Sequence, residues 1–125
     1  MISKFGICIR KIRNEKKDSL RQMAQKLDIS AAFLSAMEVG RKLVPVEYIE
    51  KVKQIYNLTS EQEAELENSI YETNNRVHIE LSLMNDAQKD VSLLFARKIK
   101  NADEDLLERL KEVLIDEENK SINNK

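Results

Sequence analysis

The chain has 125 residues, 42% hydrophobic and 34% charged, with one proline, two glycines and no tryptophan. That is room for one modest domain and an extension, rich in helix-compatible residues and short for most enzymes. No apolar run is long enough for a signal peptide or a membrane span, and the single cysteine, Cys8, has no partner for an intrachain disulfide, so a reducing cytoplasm is expected.

Net charge at pH 7 is only −1, but it is unevenly spread. Residues 1 to 45 carry ten basic and four acidic side chains, a balance of +6, whereas the remainder carries eleven and eighteen, a balance of −7. A basic head is joined to an acidic tail, and only the head would be drawn to phosphates.

In chain order, a first helix is expected over about 4 to 16, burying Phe5, Cys8, Ile9 and Ile12. Ser19-x-x-Gln22 is a capping-box arrangement that starts a second helix. Its inward stripe is Leu20, Met23 and Leu27, with Ala24 small where another helix must cross closely. Asp28 breaks the pattern, Ile29 turns into the core, and Ser30 offers a cap to a third helix whose inward face is Leu34 and Met37. Gly40 closes that helix. At 100° per residue, Ala31, Ala32 and Ser35 point away from the core, with Ala36 and Phe33 on the flanks. The third helix thus exposes a face of small residues.

A fourth helix is expected to begin near Pro45, a favoured first-turn proline, and to bury Ile49, Val52 and Tyr56. A fifth follows Thr59 and Ser60, where Thr59-x-x-Gln62 or Ser60-x-x-Glu63 can cap, and carries Leu66 and Ile70. Polar residues 72 to 76 mark a boundary. Beyond it Val77, Ile79, Leu81 and Leu83 alternate with polar residues, the period of an extended arm or strand. Two amphipathic helices are expected last. One, over about 86 to 100, carries Val91, Leu94, Phe95 and Ile99, and the other, over about 103 to 117, carries Leu106, Leu107, Leu110, Val113 and Leu114. Residues 119 to 125 read as a frayed, flexible tail.

The stretch from residue 13 to residue 40 resembles the Cro and repressor group of helix-turn-helix regulators, the xenobiotic-response-element family, and the likeness in pattern covers about 3 to 73. Ser30-x-x-Phe33-Leu34-Ser35-x-x-Glu38-x-Gly40 matches the family's recognition helix and its exit, and Ala24 matches its crossing alanine. The resemblance implies an all-α chain with a five-helix, lambda-repressor-like DNA-binding domain at 1 to 73. A short extended arm and two C-terminal helices follow as a dimerisation or interaction extension at 74 to 118. It also implies a structural clamp between Arg13 and Glu38 that orients the arginine toward phosphate. Two positions depart from the pattern: Asp28 stands where the turn usually has glycine, and Asp18 where an apolar residue usually precedes the second helix.

The expected partner is double-stranded DNA, with Ser30, Ala31, Ala32, Ser35 and Ala36 at base edges and Arg13, Ser19, Arg21, Arg41 and Lys42 at phosphates. Phe33 is divided between core and thymine contact, with the core favoured. None of the groove residues can make the bidentate contacts of arginine to guanine or glutamine to adenine, so direct readout is modest and DNA shape contributes. One such reader covers few base pairs, which calls for a homodimer on half-sites about 34 Å apart, or multiples of that. Val77, Ile79, Leu81, Leu94, Phe95, Leu106 and Leu110 are the expected dimerisation residues, and the same extension is a possible site for another protein. The single histidine, His78, has no Cys or second His at ligand spacing, so neither metal nor cofactor is expected. No phosphate loop or nucleophile and base pair supports catalysis. The reading is a transcriptional regulator, most simply a repressor. One alternative is an antitoxin that represses its own promoter and neutralises a toxin through its acidic half. Another is an interaction protein with a DNA-binding fold that has lost DNA affinity.

Overall fold

Side-chain caps begin four of the five N-terminal helices and left-handed residues end them. The computed structural model describes residues 1–123, which fall into two compact units, Met1–His78 and the described residues from Ile79 onward. The first unit holds α1 (Lys4–Glu15), α2 (Leu20–Lys26), α3 (Ala31–Glu38), α4 (Tyr48–Tyr56) and α5 (Ser60–Asn74). Side-chain oxygens of Ser3, Ser19, Ser30 and Thr59 accept from the backbone N–H groups of Gly6, Gln22, Phe33 and Gln62. At Ser19 and Thr59 the glutamine returns a bond to the cap, so Thr59 rather than Ser60 starts α5. Caps of this kind are worth about 1 kcal/mol each.

The core of this unit is Phe5, Ile9 and Ile12 from α1, Met23 and Ala24 from α2, Leu34 and Met37 from α3, Val52 and Tyr56 from α4, and Leu66 and Ile70 from α5, with Leu27, Val44, Tyr48 and Leu58 between and at the ends of helices. Cys8, Ile29, Phe33 and Ile49 pack against it partly buried. α1 lies against α5 and α3, and α2 against α3.

The fourth helix starts later than expected. Residues 45 to 47 form a turn in which the Pro45 carbonyl accepts from Tyr48 N–H at 3.1 Å, and α4 begins only at Tyr48, whose ring is buried. After α3 the chain is tied to α5 through Asn74, whose amide oxygen accepts from Val44 N–H at 2.9 Å while its nitrogen donates to the Val44 carbonyl at 2.8 Å. The unit therefore extends past residue 73: the Tyr71 hydroxyl donates to the His78 carbonyl at 2.7 Å.

Residues 76 to 81 have no regular structure, and no strand occurs among the described residues, so the alternating arm forms no ladder within the chain. In the second unit α6 (Asp86–Lys98) starts at an Asn85 and Gln88 capping box and ends in a 3-10 turn, Ile99–Asn101. Asp103 caps α7 (Glu104–Asn123) by accepting from Leu106 N–H at 2.8 Å. α7 continues to Asn123, so residues 119 to 123 are helical where a frayed tail was expected. The last two residues of that expected tail lie outside the described residues. None of residues 79 to 121 is buried.

Candidate nucleic-acid interface

Both ends of α3 are held by other elements, which leaves its outer face as a rigid surface. At its N-terminal side α2 ends with Asp28 at φ 59°, where Asp28 N–H donates to the Gln25 carbonyl and Ile29 N–H to that of Ala24. This pair of bonds is a Schellman ending. A left-handed turn is therefore formed with aspartate in the place of glycine. Ile29 is thereby turned toward the core and Ser30 is set to cap α3. At the C-terminal side Gly40, at φ 80°, repeats the ending, with Arg41 N–H on the Ala36 carbonyl at 2.9 Å.

The end of α3 is also bonded to α1. Ser3 donates to the Glu38 carbonyl from its backbone N–H at 2.8 Å and from its hydroxyl at 2.9 Å. Gly6 sits so near that a Cβ there would lie 2.1 Å from the same carbonyl oxygen. The Glu38 side chain, 2% exposed, faces two guanidinium groups: Arg13 Nη1 at 2.7 Å and Nη2 at 3.4 Å, and Arg10 Nε at 2.7 Å. Two arginines on one buried carboxylate, with backbone bonds beside them, supply the compensation that a desolvated charge needs.

This geometry places two arginines. The Arg13 side chain is 11% exposed and both terminal nitrogens face Glu38 within the α1 and α3 crossing. Arg10, absent from the expected site, remains 46% exposed while bonded to Glu38. Ser3, Gly6 and Arg10 were missed because their partners lie 28 to 35 residues away, although Ser3-x-x-Gly6 at the start of a helical pattern carried a capping signal.

Asp18, the other departure from pattern, is a polar node. It accepts from Lys26 Nζ at 2.6 Å and from the Tyr56 hydroxyl at 2.8 Å, and Lys26 lies 5.3 Å from the Tyr56 ring centre. These bonds, from Lys26 first and then Tyr56, hold the Asp18 carboxyl below the usual carboxylate range. Burial, then the bond to Asp18, pushes the Tyr56 hydroxyl well above its ordinary value. The Cys8 thiol is also raised, chiefly by burial.

On the outer side, Ala32 and Ser30 are exposed and Ser35 and Ala36 half-buried, while Phe33 packs on the core edge and so does Ala31, which was expected to point away from the core. Ser19 and Arg21 at the start of α2, and Arg41 and Lys42 after α3, are all exposed. Two short helices at a close crossing, joined by a left-handed turn and bordered by basic residues, can present one helix to a DNA groove and the start of the other to its backbone. The family described as helix-turn-helix matches residues 9–63.

Residues 9–63 are a helix-turn-helix domain of the Cro/C1, xenobiotic-response-element type. Such a domain binds DNA and regulates transcription. No curated protein and no solved structure matches the chain. Around the helix-turn-helix domain no helix among the described residues is long and apolar enough to cross a membrane. No group of His, Cys, Asp or Glu among them is placed to hold a metal ion.

Proposed function

We propose that the chain is a sequence-specific repressor that binds its operator as a homodimer, with α3 in the major groove. The observation that carries this reading is the small-residue face of α3, seated by the buried Glu38 carboxylate and bordered by exposed Arg21, Arg41 and Lys42. Ala31, Ala32, Ser35 and Ala36, with the Ser30 hydroxyl, meet base edges: methyl groups against thymine methyls, hydroxyls as donors or acceptors. Ser19, Arg21, Arg41 and Lys42 neutralise phosphates, together with Arg13 oriented by Glu38. Blocking of promoter access is the mode of regulation, in the reducing cytoplasm.

Footprinting on the DNA upstream of the chain's own gene tests this. A protected site is expected, with affinity falling steeply as salt rises. Arg41→Ala should weaken all sequences about equally and lower the salt slope by about 1, whereas Ala32→Glu should abolish protection by placing a carboxylate in the groove. Absence of any salt-dependent binding would instead favour a protein-binding role for the fold. The acidic second unit, with no buried residue over 79 to 121, supports the antitoxin as second reading; a toxin that co-purifies with the chain would select it.

A further inference from the structure

Two arginines share the buried carboxylate at the end of α3, although charge balance there needs only one. Arg13, 11% exposed, already turns both terminal nitrogens to Glu38, at 2.7 and 3.4 Å. Arg10 adds a third bond through Nε at 2.7 Å, and its side chain stays 46% exposed. Two cations on one anion leave a surplus of one positive charge, carried by the exposed arginine.

The shape of a guanidinium group gives that surplus a direction. Its Nε–H and its two terminal NH2 groups form one planar, rigid set of donors. With Nε–H committed to Glu38, the terminal fork is left for another acceptor; among the described residues neither terminal nitrogen of Arg10 donates a hydrogen bond within the chain. Such a fork matches two oxygens of a phosphate.

The fold fixes where the fork lies. Gly6, Arg10 and Arg13 follow one another at steps of four and three residues, so they share the side of α1 that crosses the end of α3. Ser3 fastens that crossing through the Glu38 carbonyl, and Gly6 lets the two backbones meet there. On α3, Glu38 comes three residues after Ser35, which makes them neighbours on one flank of the helix. Arg10 is thus anchored on the flank that carries Ser35, and the chain leaves α3 through exposed Arg41 and Lys42.

We propose that Arg10 is a further phosphate-contacting residue: Glu38 holds it by Nε, and its terminal fork takes a DNA phosphate on the α1 side of α3. This rests on the major-groove reading above and adds a contact to it. Because the anchor is the last residue of the groove-facing helix, the phosphate contact and the base-reading face are set in one register on the duplex.

The test is the salt dependence of DNA binding by the full chain. It is measured on the fragment upstream of the chain's gene and on an unrelated fragment of equal length, with urea denaturation alongside. Arg10→Gln removes the charge and leaves Arg13 to compensate Glu38. The slope of log affinity against log salt should fall by about 1 for each bound protomer, equally on both fragments. Arg10→Lys keeps the charge without the planar fork, so the slope should be retained while affinity falls. An arginine that only braces α1 against α3 would instead lower the urea midpoint in Arg10→Gln and leave the slope of the parent. A parental slope in Arg10→Gln, a loss confined to the upstream fragment, or a loss that Arg10→Lys does not restore would each overturn the proposal. The parent chain keeps the two readings apart. Salt-dependent binding by the parent with an equal slope in Arg10→Gln removes Arg10 alone, whereas a parent with no DNA affinity removes the regulator as well.

Discussion

Five described residues sit at positive φ, and four of them, Lys17, Asp28, Asn57 and Asn75, have side chains. The left-handed region costs an L-residue roughly 1–2 kcal/mol, least for Asn and Asp. Asp28→Gly is therefore expected to raise the urea midpoint at unchanged slope, by about 0.5–1 kcal/mol of stability. A lower midpoint would show that the aspartate side chain supports the turn. Asp18 argues at the same scale through pH. Its folded pKa is lowered, so its bonds to Lys26 and Tyr56 stabilise the fold above the unfolded value of about 3.9 and that contribution disappears as pH falls through the lower, folded value. The difference in thermal midpoint between the parent and Asp18→Asn should be present at pH 7 and vanish in acid. Tyr56 has the opposite sign: its raised pKa gives stability that is complete below an unfolded value of about 10 and lost as pH rises through the folded value. Tyr56→Phe should lack that alkaline loss.

Among elements, the crossing of α1 and the end of α3 decides how the groove-facing helix is held. Gly6 is needed there because the atom a Cβ would strike is backbone, the Glu38 carbonyl oxygen, which cannot swing aside. Gly6→Ala is expected to cost about 1–3 kcal/mol, as overpacking does, and to weaken operator binding beyond what the loss of folded protein explains. Chemical denaturation and gel shifts on one preparation check both. Helix positions were readable where caps and apolar spacing agreed, as at Ser19 with Leu20 and Met23 or at Thr59 with Leu66 and Ile70. They were misread where one signal stood without the other. Pro45 suits a first helical turn, but here it precedes a turn that delivers Tyr48 to the core. The polar run after Ile115 lacks an apolar stripe, yet α7 continues through it to Asn123.

For the molecule as a whole, the division near His78 separates a unit with its own core from one in which none of residues 79 to 121 is buried. Residues 1–78 are expected to unfold cooperatively as a fragment and to bind DNA with retained salt dependence but sharply lower affinity than the full chain. Equal affinity in a titration would place dimerisation within the first unit. The chain's linear pattern was enough for an all-helical architecture, for the α2 and α3 pair with its small-residue face, and for the basic head. Helical periodicity, caps and charge are local properties, written within a few residues of one another. Only tertiary structure decided that Arg13 is buried and shares Glu38 with Arg10, that Gly6 admits the α3 carbonyl, and that Asp18 joins α4 to the helix-turn-helix. Those pairs lie 25 to 38 residues apart in the chain. Their meeting depends on how packed helices cross, a geometry that no short-range spacing encodes.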